Sequence, residues 1–206
     1  MKYKLPAGII LFFILLIAFA CAPKKPAIER NYYILETSRN SPPAQETIPA
    51  SLKIPDFSVS PGFQGREIIY RSGKSSAIAD FYNHYFILPG PMITQLAGSW
   101  FMDAGLFSAV IPPSSTKEAD YILEGAVTSI YGDTSQSGKN AAVVEINFML
   151  LKNSGFDQEI VFQKKYKSTV KTEVSGAQPL INGLNKGLNN IFTSLERDLA
   201  TLSELQ

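Results

Sequence analysis

DYILEGAVTSIY (120–131), AAVVEINFMLL (141–151) and IVFQKKYKSTV (160–170) are the three segments that decide how this chain folds. The middle one alternates: Val144, Ile146, Phe148 and Leu150 fall on one face and Glu145 and Asn147 on the other, the period of a half-buried strand. In the third, Ile160, Phe162 and Tyr166 oppose Gln163, Lys165 and Lys167, and the first is rich in Tyr, Ile, Leu and Val. The links between them, 132–140 and 153–158, are short and polar. The three segments therefore predict an antiparallel meander with one wet face.

On either side of the meander the period changes. Between Pro91 and Ala104 the residues Met92, Ile93, Leu96, Ala97, Trp100, Phe101 and Ala104 keep to one side of a helix, with Pro91 in the first turn and Gly105 suited to a left-handed cap. Trp100 and Phe101 are thus expected in the core. From Pro179 to Leu205, Leu180, Leu184, Leu188, Ile191, Leu195, Leu199 and Leu202 recur at threes and fours, a long amphipathic helix. Gly183 and Gly187, four apart, permit close packing of that helix on a sheet. Further strands are expected at Tyr32–Leu35, Leu52–Ser60, Ile68–Arg71 and Phe107–Ile111, with a polar loop over 38–51 and a turn over 61–65. Pro55 points to an edge or a bulge in the second of these. The sum is an α+β domain over 31–206, a mostly antiparallel sheet with two helices packed on one face.

Composition fits one domain: 206 residues, 45% hydrophobic and 18% charged. Nineteen basic against 18 acidic side chains leave a net charge of +1, too weak a field to gather a phosphate backbone, so no nucleic acid is expected as a partner. One cysteine, Cys21, rules out an internal disulfide, and one histidine, His84, leaves no His/Cys cluster for a metal. No cofactor is implied.

Lys2 and Lys4 precede a run of 12 apolar residues, Ile9 to Ala20, which ends at Cys21, Pro23, Lys24, Lys25 and Pro26. A spanning helix needs about 20 apolar residues, so the run reads as a signal peptide over 1–20. Cys21 follows small Ala20, with Ala18 two places earlier, and this resembles a bacterial lipobox. Ala18 stands where Leu is commonest, and Phe19 where small residues are preferred. The lipobox implies cleavage before Cys21, a diacylglycerol on its thiol and an acyl chain on its amine. Residues 21–30 would then be the lipidated N-terminus and tether. Losing Lys2 and Lys4 turns the charge from +1 to −1. Ala22, rather than Asp, follows the cysteine; in Gram-negative lipoproteins this generally permits export, which implies the periplasmic face of the outer membrane.

Catalytic patterns fail in turn. Gly73-Lys74-Ser75 lacks the upstream glycine of a phosphate loop, since position 68 is Ile68. There is no G-x-S-x-G elbow, and His84, inside the aromatic run Phe81 to Phe86, has no nameable partner and reads as structural. Asp80, Asp120, Glu124, Asp133 and Glu145 do not group into an acid/base pair. Lys164, Lys165, Lys167 and Lys171 read as a solvated strand face.

Taken together, Arg66-Glu67-Ile68-Ile69-Tyr70-Arg71, Tyr82 with Phe86, Pro89-Gly90-Pro91-Met92-Ile93, Trp100, Ala104-Gly105-Leu106-Phe107 with Val110, Ala119-Asp120-Tyr121-Ile122-Leu123-Glu124-Gly125 and Tyr131-Gly132-Asp133 resemble the ABC-type transport auxiliary lipoprotein family, which includes the PqiC-like lipoproteins. The resemblance runs from about Tyr32 to the final helix. It implies a non-catalytic component of an MCE-type intermembrane lipid transport system, anchored by its lipid and docking an MCE-domain protein. Two other readings stay open: an assembly lipoprotein supporting an outer-membrane protein, and a lipid shuttle with its own apolar cavity.

Docking residues are expected where loops meet a rigid sheet. Residues 61–65 and 132–140 are rich in Gly and polar side chains; Phe63 and Asp133 lie within them and Arg66 and Tyr131 beside them. These four form the candidate surface for the partner or for another copy of the chain, in a homo-oligomer. The alternative is that Phe63 and Tyr131 seal the end of the sheet.

Overall fold

The structure, a computed structural model, describes residues 29–136, 138–155, 157–173 and 175–202; Cys21, with the signal peptide and most of the tether, lies outside them. The strands are β1 (Asn31–Tyr33), β2 (Ile48–Lys53), β3 (Ser58–Val59), β4 (Glu67–Arg71), β5 (Ala77–Tyr85), β6 (Phe107–Ile111), β7 (Tyr121–Asp133), β8 (Ala141–Asn153) and β9 (Gln158–Lys171). The helices are α1 (Pro89–Ala104) and α2 (Ala177–Ala200). The fold is α+β.

β7, β8 and β9 form the antiparallel meander, paired along nearly their whole lengths. The sheet as a whole is mixed. One edge of β7 is taken by β8, while the other is shared end to end by three short strands, all parallel to it: β2 at Tyr121 and Ile122, β3 at Ala126 and Val127, β4 at Gly132 and Asp133. β6 adds parallel to β2, and β1 parallel to β5 beyond the β4–β5 hairpin. Strands joined by crossovers rather than tight turns can run parallel, and the long segment through α1 supplies such a crossover between β2 and β6. The antiparallel expectation therefore holds for the meander and the β4–β5 hairpin but not for the short strands.

Local departures have physical causes. The loop expected over 38–51 ends early, because Ile48 to Ser51 belong to β2; Pro49, which cannot donate to a ladder, sits where the β2–β6 register slips. Pro55 falls in the break that divides 52–60 into β2 and β3. At Thr128 an extra residue enters β7: Val127 faces Ile146, yet Ser129 faces Glu145. The bulge exchanges the faces of β7, so that Val127 and Ile130 both point to the core while Tyr131 turns away. A second bulge at Val161 does the same in β9, leaving Ile160 exposed opposite Leu151 rather than beside Phe162 in the core.

Both helices cover one face. α2 lays Leu180, Leu184, Leu188, Ile191, Leu195 and Leu199 on β8 and β9, and Gly183 and Gly187 let its backbone approach Ala142 and Val144. α1 buries Met92, Ile93, Ala97, Trp100 and Phe101 and ends at Gly105, whose φ of 61° is the left-handed cap. Phe57 fills the hollow over Gly125: a Cβ on that glycine would lie 2.6 Å from the Phe57 ring. Gly125→Ala is accordingly expected to cost about 1–3 kcal/mol by overpacking, read as a lower denaturant midpoint at unchanged slope.

Candidate functional site

Away from the helices, β4 and the end of β7 carry a compact group. Phe63, on a single 3-10 turn (Pro61–Phe63), stacks on Tyr131 with ring centroids 5.9 Å apart and planes 14° from parallel. Arg71 of β4 holds its guanidinium 5.1 Å above the Tyr131 ring and donates from Nη2 to the Lys74 carbonyl at 2.8 Å. Such a cation over an aromatic face adds about 0.5–1 kcal/mol when exposed, more when dry. Asp133 is the ladder partner of Arg71. Its carboxylate accepts the Ser135 N–H at 2.9 Å; hydrogen bonds from Ser135, then the charges of Arg71 and Lys167, hold it below the usual aspartate range. Together Arg71, Lys74, Tyr131, Asp133 and Ser135 line a shallow hollow of about 200 Å³.

Of the four residues expected from the sequence, three meet. Phe63 and Tyr131 touch, and Asp133 lies beside them. Tyr131 is only 7% exposed under Phe63 and Arg71, so the surface available to a partner is formed by the half-buried Phe63, Arg71 and Asp133, with Tyr131 as their support. Arg66 is elsewhere: its Nε donates to the Tyr85 carbonyl at 2.9 Å and its guanidinium lies 5.2 Å above Tyr32. Tyr32 meets Phe86 edge to face at 6.5 Å, with His84 buried alongside. Arg66 thus marks a second aromatic–arginine group on β1 and β5. Arg71 was missed in the sequence because its partner is 60 residues away, although it closes the Arg66–Arg71 stretch whose other end had been singled out.

Two lysines of β9 are held in ion pairs. Lys164 pairs with Asp198 of α2 at 2.6 Å, and Lys165, on the opposite face of β9, with Glu145 of β8 at 3.4 Å. Among the described residues no three His, Cys, Asp or Glu side chains stand together as a metal site, and no helix is long and apolar enough to cross a membrane. Two hollows of about 610 and 730 Å³ are surface grooves of mixed lining that include no Phe and a single Leu, Leu106.

A mixed sheet covered on one face by two helices, with arginine-capped aromatics on the other, defines the class of domain. The same fold recurs in solved structures. Protein XCC0632 from Xanthomonas campestris, of DUF330, superposes with a TM-score of 0.76 at 18% identity, covering 84% of this chain and 97% of that one. An uncharacterised protein matches at 0.65 and 13% identity, covering 83% and 99%. The hypothetical protein CT253 from Chlamydia trachomatis matches at 0.52 and 5% identity, covering 75% and 97%. At such identities the likeness is one of fold. No family model matches the sequence, and no curated protein does.

Proposed function

We propose that this chain is a non-catalytic lipoprotein, held through Cys21 at the periplasmic face of the outer membrane, that docks the MCE-domain protein of an ABC-type intermembrane phospholipid transport system. The observation that carries the reading is a convergence. Arg66–Arg71 and Tyr131-Gly132-Asp133, two of the stretches that resemble the auxiliary lipoproteins, are far apart in sequence yet adjacent in the sheet: Tyr70 pairs with Gly132 and Arg71 with Asp133. Where they meet, Phe63 and Arg71 stand beside Asp133 on one rigid patch, and aromatic and arginine side chains are the types enriched at interfaces. A shuttle reading would want an enclosed cavity lined by Phe and Leu, and the grooves present are of another kind.

Intact mass, membrane partitioning and partner co-purification test this. Intact mass of membrane-extracted protein should lack residues 1–20 and carry acyl mass, and Cys21→Ser should release the chain from membranes; a full-length mass, or unchanged partitioning of the variant, sinks the anchor. Phe63→Ala should lower co-purification of the MCE-domain protein by about tenfold or more while the thermal midpoint hardly moves. Loss of binding that tracks loss of folded protein, for Phe63→Ala and Tyr131→Ala alike, would assign both rings to the core. Retention of an outer-membrane protein instead would favour the assembly role.

A further inference from the structure

The described residues expose large apolar side chains chiefly in one place, the β1–β5 corner, and there a protrusion is built. The β4–β5 ladder pairs Glu67 with His84 and then Ile69 with Ala79, so residues 80–83 bulge away from β4; Asn83 pairs with Asn31 of β1, and residues 80–82 are left without a ladder partner on either side. Asp80 fixes their shape: Oδ1 accepts the N–H groups of Tyr82 and Asn83 at 2.9 and 3.0 Å, and Oδ2 accepts Asn83 Nδ2 at 2.9 Å. Asn83 Oδ1 in turn accepts Asn31 Nδ2 and Tyr33 Oη, tying the bulge to β1. Phe81 and Tyr82 project from it, 54% and 55% exposed, edge to face at 5.2 Å. Two large rings held out in water on a braced bulge mark an interaction surface.

We propose that this knuckle, Phe81 and Tyr82, seats at the boundary between headgroups and acyl chains of the bilayer to which the chain is anchored. The inference rests on the lipid-anchored reading of Cys21. Its first support is where the undescribed chain arrives: Arg30, at the root of the tether, places its guanidinium 5.5 Å above the Phe81 ring. Nine peptide steps separate Cys21 from Arg30, at most about 32 Å of extended chain, so an anchored domain keeps this corner within reach of the membrane surface. The second support is charge. Lys24, Lys25 and Arg30 against Glu29 make the tether basic, and Arg66 adds a cation over nearby Tyr32, as a surface of anionic headgroups requires. The third is ring chemistry, since a phenol beside a phenyl suits a boundary that is apolar below and wet above. A second copy docked on the knuckle would have to lie across the root of the tether.

The test uses the full chain in vesicles of phosphatidylethanolamine and phosphatidylglycerol with brominated acyl chains, which quench tryptophan on contact. Native Trp100 is buried in the core and serves as an internal reference. Phe81→Trp and Tyr82→Trp should each add blue-shifted emission, most of which is lost to bromine. Ile160→Trp, exposed on β9 at the far end of the sheet, should add emission that bromine leaves intact. Water-like, unquenched emission from both knuckle variants overturns the proposal. So does a blue shift that ignores bromine and fades on dilution of protein in lipid, which would assign the knuckle to a second copy. Intact mass separates the two levels: an acylated chain without quenching overturns the knuckle alone, whereas an unacylated chain that neither floats with vesicles nor is quenched removes the anchor and the knuckle together.

Discussion

Replacing Trp100 by alanine is expected to lower the unfolding free energy by about 3–5 kcal/mol. The indole is 4% exposed, packs on Phe192 of α2 at 5.6 Å and donates from Nε1 to Glu196 Oε2 at 2.8 Å. Alanine would leave a void between α1 and α2 and withdraw a donor from a mostly buried carboxylate. Urea unfolding followed by circular dichroism measures the loss. A cost below about 1 kcal/mol would mean that the two helices close over the gap, and that α1 is held by β6 and the loops instead.

Arg39→Ala should cost about 1.5–3 kcal/mol, by removing both guanidinium hydrogen bonds from the same carboxylate and leaving it Trp100 alone. Arg39 lies in the stretch between β1 and β2, its side chain only 5% exposed, and grips Glu196 with both arms: Nε to Oε2 at 2.9 Å and Nη2 to Oε1 at 2.8 Å. Nη1 also donates to the Ser41 carbonyl and Nη2 to that of Pro42, both at 2.7 Å, so one side chain pins the loop to α2. Arg39→Lys should recover only part of the loss, because an ammonium cannot supply the planar fork. The pair also fixes a pH dependence. Burial by itself raises the Glu196 carboxyl, but hydrogen bonds from Arg39 and Trp100, with the Arg39 charge, carry it below its ordinary 4.5. As pH falls the unfolded chain takes up this proton first. The contribution is therefore full above pH 4.5 and lost as pH descends toward the folded value. In Arg39→Ala that acid limb should flatten, measured as urea midpoints across the acid range.

What the sequence discloses and what it hides follow one physical division. Alternation in 141–151 and the three-and-four spacing of Trp100 or Leu188 are local consequences of burial, so the meander and both helices are legible. The bulges at Thr128 and Val161 insert a residue without any local sign, and only the pairing reveals that Tyr131 and Ile160 change face. β5 was unread because its apolar residues, Ile78, Phe81 and Tyr82, are exposed and so follow no burial period. At the candidate site Phe63, Tyr131 and Asp133 were legible as residues within or beside loops. Arg71 over Tyr131, and Arg39 on Glu196 across 157 positions, depend on contacts that no window of sequence contains.

The long edge of β7 shared by β2, β3 and β4 has a bearing on how the chain is made. Synthesis delivers residues 48–71 well before Tyr121, and until β7 follows them those three strands have no ladder on that side; the β4–β5, β1–β5 and β2–β6 pairings can close earlier, but nothing yet joins them into one sheet. Non-local pairing of this kind is slow to nucleate. The late strand therefore acts as a clasp: its arrival joins the short ladders made before it into a single sheet in one step.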